Sequence, residues 1–182
     1  MSKELTRAVR ELELKQTING GFVWFKGMPE DRFMTQYIIT GVGRLLHIGI
    51  DEVSNDAKIQ AMVQKAIPYL DLQIKKDYDE LLRLKVDLSK QGIGSYQIQY
   101  LYMRSFFKNI PIHQEVKTAF DFYLKKCAAH WTTQSNYLQA MSGLALDRWN
   151  DKNNAMNIVK ALRENAIHNE EMGMYWKQTN SK

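Results

Sequence analysis

The side chains best equipped for chemistry in this sequence are two groups of acids, one thiol and one glycine pair. Glu30 and Asp31, and the run Asp77-Tyr78-Asp79-Glu80, carry carboxylates of the kind glycoside hydrolysis uses as acid and base. That reaction needs two carboxyls about 5 to 9 Å apart across a cleft. Neighbouring acids on one helix point to different faces, and acids at a helix start complement its dipole, so both groups read as caps and solvated faces. Cys127 and His130 lie one helical turn apart, a spacing that lets both touch one metal ion. Two ligands do not complete a site, and His47, His113 and His168 stand at no spacing that adds a third. Nor does Cys127 come with the oriented base and oxyanion hole a nucleophile needs, so it reads as a buried structural thiol. Gly92-Ile93-Gly94 lacks the preceding strand and the remaining glycine of a phosphate-binding fingerprint. The expectation is a chain without catalytic residue, metal or cofactor.

The most distinctive local feature is aromatic. The stretch from Asn19 to Pro29, Asn-Gly-Gly-Phe-Val-Trp-Phe-Lys-Gly-Met-Pro, is too rich in Gly and Pro for a helix and reads as a loop carrying large rings. Phe22, Trp24 and Phe25, with Tyr37 on the helix that follows, are the candidate interaction or structural residues. They form either an exposed platform for a ligand or partner, or a plug that the glycines turn back between helices. The plug is the favoured reading.

Helical periodicity dominates the elements that position this loop. Leu5, Ala8, Val9 and Leu12 predict a helix over about residues 3 to 15. A second runs from Asp31 to His47 with Phe33, Tyr37, Ile38, Gly41, Val42 and Leu45 on one face, where Gly41 and Gly43 mark close contact with a neighbouring helix. A third starts at an Asn55 or Asp56 cap, and Pro68 should kink or restart it. Ser95 caps a helix over Tyr96 to Lys108 that is apolar nearly all round, as an inner helix would be. Helices from His113 to Trp131, from Ser135 or Asn136 to Trp149, and from an Asp151 cap through Ile167 complete seven or eight. Short loops make them antiparallel neighbours. One echo suggests a repeat: Arg7-Ala8-Val9-Arg10-Glu11 before Gly20-Gly21-Phe22 resembles Lys160-Ala161-Leu162-Arg163-Glu164 before Gly173-Met174-Tyr175. The expected fold is all-α, with αα-hairpin repeats forming part of an α/α toroid.

Composition bounds the partners. The 182 residues, 45% apolar and 25% charged with 3 Pro and 1 Cys, suit a globular domain rather than a disordered, collagenous or disulfide-framed chain. The net charge of +5 is scattered, with Lys75-Lys76 and Lys125-Lys126 as its densest spots, so no cationic face for nucleic acid is expected. No stretch is apolar for the roughly 18 residues of a membrane span.

The run from Gln16 to Phe25, continuing through Glu30-Asp31-Arg32-Phe33-Met34-Thr35-Gln36-Tyr37 to Leu45, resembles the thioester domain of bacterial alpha-2-macroglobulin-like proteins. Tyr96 to Phe107, Ala145 to Asp151 with Ala161-Leu162-Arg163-Glu164, and Glu171 to Trp176 resemble the same domain in the same order. The resemblance implies that residues 1–182 are a single toroid domain, a middle-to-late portion of a larger multidomain protein. It implies an endopeptidase inhibitor of the periplasm or cell surface whose partners are proteases and other domains of its own chain. In that family a cut in a bait region exposes a strained Cys–Gln thioester, which acylates the attacking protease. The family's Cys-x-Glu-Gln motif is absent, since Cys127 is followed by Ala128-Ala129-His130, so no thioester residue carries over. The alternatives are a toroid-type glycan-active or cyclase-like enzyme, and a non-catalytic protein- or glycan-binding module.

Overall fold

A computed structural model describes residues 3–177. The described chain is mostly helical, in the order α1 (Lys3–Lys15), α2 (Arg32–His47), α3 (Asp51–Ser54), α4 (Ala57–Arg83), α5 (Ser95–Arg104), α6 (Gln114–His130), α7 (Asn136–Arg148) and α8 (Lys152–Glu164). A single 3₁₀ turn follows α6, and a short antiparallel pair, β1 (Ile167–Asn169) and β2 (Gly173–Tyr175), follows α8. The all-α expectation holds with that small addition.

Side-chain caps set four of the eight described helix starts. Asp31 accepts from the Met34 amide, Asp56 from those of Lys58 and Ile59, Ser135 from Leu138 and Asp151 from Asn154, each satisfying a donor a helix start leaves open. At α5 the cap is Gly94 rather than Ser95, with the Gln97 side chain accepting from the Gly94 N–H. That helix stops at Arg104, short of the predicted Lys108. Pro68 does not restart α4, which is one helix of 27 residues. Pro68 and Gln64, whose carbonyl loses its usual donor, are both exposed, so water can take the place of the missing bond. Ile167, expected at the end of α8, opens β1 instead.

The chain forms two compact units. Among the described residues, the first comprises 3–86 with Phe106–Phe120, and the second Asp87–Ser105 with 121–177. In the first unit, α4 supplies the core with Ile59, Met62, Val63, Ala66, Ile67, Leu70 and Ile74, an i, i+3, i+4 stripe. Helix α1 lies along it through the buried Val9 and a Lys58–Glu13 ion pair. Helix α2 joins it through Arg32, whose guanidinium meets the Asp77 carboxylate at 2.8 Å.

The second unit is built around α5, whose Ile98, Tyr100, Leu101, Tyr102, Met103 and even Arg104 are buried, as expected of an inner helix. Helix α7 packs on it: the Trp149 indole donates to the Leu101 carbonyl at 3.3 Å, and the Arg148 guanidinium lies 5.5 Å from the Tyr102 ring centre. Gly143 lets α8 approach, since a Cβ there would lie 3.2 Å from Ile158.

Candidate functional site

The loop between α1 and α2 is held by an unusually complete set of local bonds. Gly20, at φ +98°, turns the chain so that the Thr17 amide donates to the Gly21 carbonyl and the Val23 amide to that of Lys15. Few side-chain-bearing residues adopt that angle. Phe22 bridges both ways, toward Gln16 and toward Asp31, whose amide donates to the Phe22 carbonyl at 2.8 Å. The remaining Phe22 amide donates to Thr35 Oγ1 at 2.8 Å, and that hydroxyl donates to the Asp31 carbonyl. Gln16 Nε2 ties the turn to α4 by donating to the Met62 carbonyl at 2.9 Å. Space is equally tight: a Cβ on Gly20 would fall 2.1 Å from the Lys65 carbonyl oxygen, and one on Gly21 would meet Glu30 and Tyr69.

This frame sorts the four predicted residues into two sets. Phe22 is 0% exposed, and Val23 beside it is also buried, so this part of the loop is a plug, as favoured from the sequence. Trp24 at 49% and Phe25 at 70% point into solvent, where the plug reading had placed them inside. Tyr37, at 72%, is also outside and stacks on Phe33 with ring centres 6.3 Å apart. The apolar face predicted for α2 is therefore not its core face. The buried side is Met34, Thr35, Gln36, Ile39, Thr40 and Gly43. Its hydroxyls bond backward, Thr35 to the Asp31 carbonyl and Thr40 to that of Gln36, so the polar atoms are satisfied and the methyls can pack. Thr35, four residues after the Asp31 cap, was the sequence signal for this phase. Of the two glycines read as helix contacts, Gly43 faces the Phe106 ring, just beyond α5, and Gly41 faces open space.

The carboxylates are engaged structurally. Asp31 caps α2, Glu30 accepts from the Thr17 hydroxyl, Asp77 pairs with Arg32, Asp79 with Lys75 and Glu80 with Arg83. Arg83 holds Glu80 below the usual carboxylate range through its hydrogen bonds. Burial, reinforced by the negative charges of Glu30 and Asp31, pushes the Tyr69 phenol upward. Thr17, Glu30 and Tyr69 thus form a polar base beneath the loop that is not evident in the sequence, because its members come from a turn, the residue before the α2 cap and the middle of α4.

Cys127 is buried in the second unit, and burial pushes its thiol up to about 11. A thiol so protonated is a poor nucleophile and metal ligand at neutral pH. Among the described residues no three of His, Cys, Asp or Glu come together as metal ligands, and no helix is long and apolar enough to cross a membrane.

The two ends of the sequence echo share one backbone feature, a glycine at positive φ. The alignment that places Ala8 on Ala161 and Arg10 on Arg163 places Gly20 on Gly173, which also turns at positive φ, +71°. The pairing around them differs: Gly20 lies inside the turn closed by Gln16 and Phe22, whereas Gly173 opens β2 and pairs with Asn169, and Tyr175 pairs with Ile167. The first turn is buried against α4. The second is open, with nothing within 4 Å of a Cβ on Gly173. No protein-family model matches this chain, and no curated protein matches it.

Proposed function

We propose that this chain is part of the α/α toroid of an alpha-2-macroglobulin-like protease inhibitor, acting as scaffold rather than as the acylating centre. The observation that supports this reading best is the Gln16–Phe25 turn. The segment that carries the resemblance is also tied by backbone bonds to α1 and to the start of α2, with Phe22 seated as a plug and Gly20 pressed on α4. A helix leading into a positive-φ glycine turn, present twice, suits a ring of repeated αα-hairpins. The carboxylates of Asp31, Asp77, Asp79 and Glu80 take the cap and ion-pair roles the scaffold reading gives them. In this reading the partners are proteases, met through the parent protein at the cell envelope, and the parent's other domains.

The gene around the Met1 codon gives the first test. A Cys-x-Glu-Gln codon run upstream, in frame, supports covalent capture. A natural start at Met1 without flanking domains overturns the proposal. Where the parent is longer, its purified form incubated with endopeptidases should block cleavage of large protein substrates while small peptide substrates are still cut.

One observation favours the binding-module reading beside it. Trp24, Phe25, Phe33 and Tyr37 leave large rings in water on and beside a rigid loop, and exposed aromatic groups are typical of contact surfaces. In the parent this edge would face another domain of the same chain.

A further inference from the structure

We draw no further inference here: the strongest candidate, the apolar groove between α7 and α8 lined by Leu144, Met156, Val159 and Leu162, is an open face, and nothing in the structure shows what covers it.

Discussion

Replacing Gly20 with alanine should damage the first unit more than any other single methyl added to a loop glycine. Two costs meet at this position. At φ +98° an L-residue is held in a sparsely populated region, worth about 1 to 3 kcal/mol. The new Cβ would also sit 2.1 Å from the Lys65 carbonyl oxygen and 2.6 Å from its carbon. Those are helix-backbone atoms of α4, which cannot rotate aside as a side chain would, and forced repacking of that kind costs about 1 to 3 kcal/mol more. The smaller conformational freedom of alanine in the unfolded chain returns about 0.4 to 1 kcal/mol, leaving a net loss of about 1 to 6 kcal/mol. Gly27→Ala is the matched control. Its φ of +90° carries the same backbone strain, and a Cβ there meets nothing within 4 Å. Urea unfolding of the full chain followed by far-UV circular dichroism measures both, with transitions of the two units fitted separately. At a slope of about 1 to 3 kcal/mol per molar urea, a clash of 2 kcal/mol separates the two midpoints by about 1 M. Equal midpoints for the two variants would mean that the turn is not seated on α4, and the plug description would fail.

The same assay distinguishes plug from platform: Phe22→Ala should cost about 3 to 5 kcal/mol as a buried ring, whereas Trp24→Ala and Phe25→Ala should each cost below about 1 kcal/mol, as surface changes do. A large loss at Trp24 or Phe25 would place those rings in a core and remove the contact-surface reading. On α2, Gly41→Ala should stabilise by about 1 kcal/mol because the site is open and helical. Gly43→Ala should be neutral to destabilising, because the same helix gain is set against about 1 to 3 kcal/mol of overlap with the Phe106 ring; finding both variants equally stabilised would contradict the packing at Phe106. For Cys127, iodoacetamide at pH 8 should label the thiol only after unfolding, and labelling of the folded chain at the rate of a free peptide would show the burial to be wrong. Its folded pKa of about 11 lies above the unfolded value, so the protonated thiol contributes stability that is complete below pH 9 and lost as pH rises to about 11. The loss is about 3 kcal/mol at most, and it should be missing from the pH profile of Cys127→Ala.

Four of the eight described helix starts were legible because their caps are local. Asp31, Asp56, Ser135 and Asp151 each announce a start through one side chain and one amide two or three residues on. Where the signal was not local, reading failed. Pro68 has the chemistry of a break, yet it lies on the solvent side of a helix whose other side is a continuous apolar stripe, and tertiary packing outweighs it. The face of α2 was misplaced for a related reason. Hydropathy ranks Phe33, Tyr37 and Leu45 above Thr35, Gln36 and Thr40, but a hydroxyl that bonds to its own helix backbone can be buried at little cost. The β1–β2 pair is three residues per strand, too short for alternation to show. Phe22 could be recognised as a plug from its glycines, whereas the outward turn of Trp24 and Phe25 depends on where α2 and α4 end up.

The two glycine turns show which part of the candidate site is encoded locally and which is conferred by neighbours. Gly20 and Gly173 follow similar helices and both take a positive φ, which glycine adopts without steric cost. What differs is the strand pairing around them and the cover. Gly20 lies against the α4 backbone, and the ring two residues later is wholly buried. Gly173 has open space around it, with Met172 and Met174 exposed and Tyr175 half-buried. The step from turn to plug therefore requires a long helix laid across it, fixed here by Gln16 on the Met62 carbonyl and by Arg32 on Asp77. Removing that cover while keeping the turn is what separates a structural loop from an exposed aromatic one. A glycine turn after a helix can serve either role, and cover by a neighbouring helix decides between them.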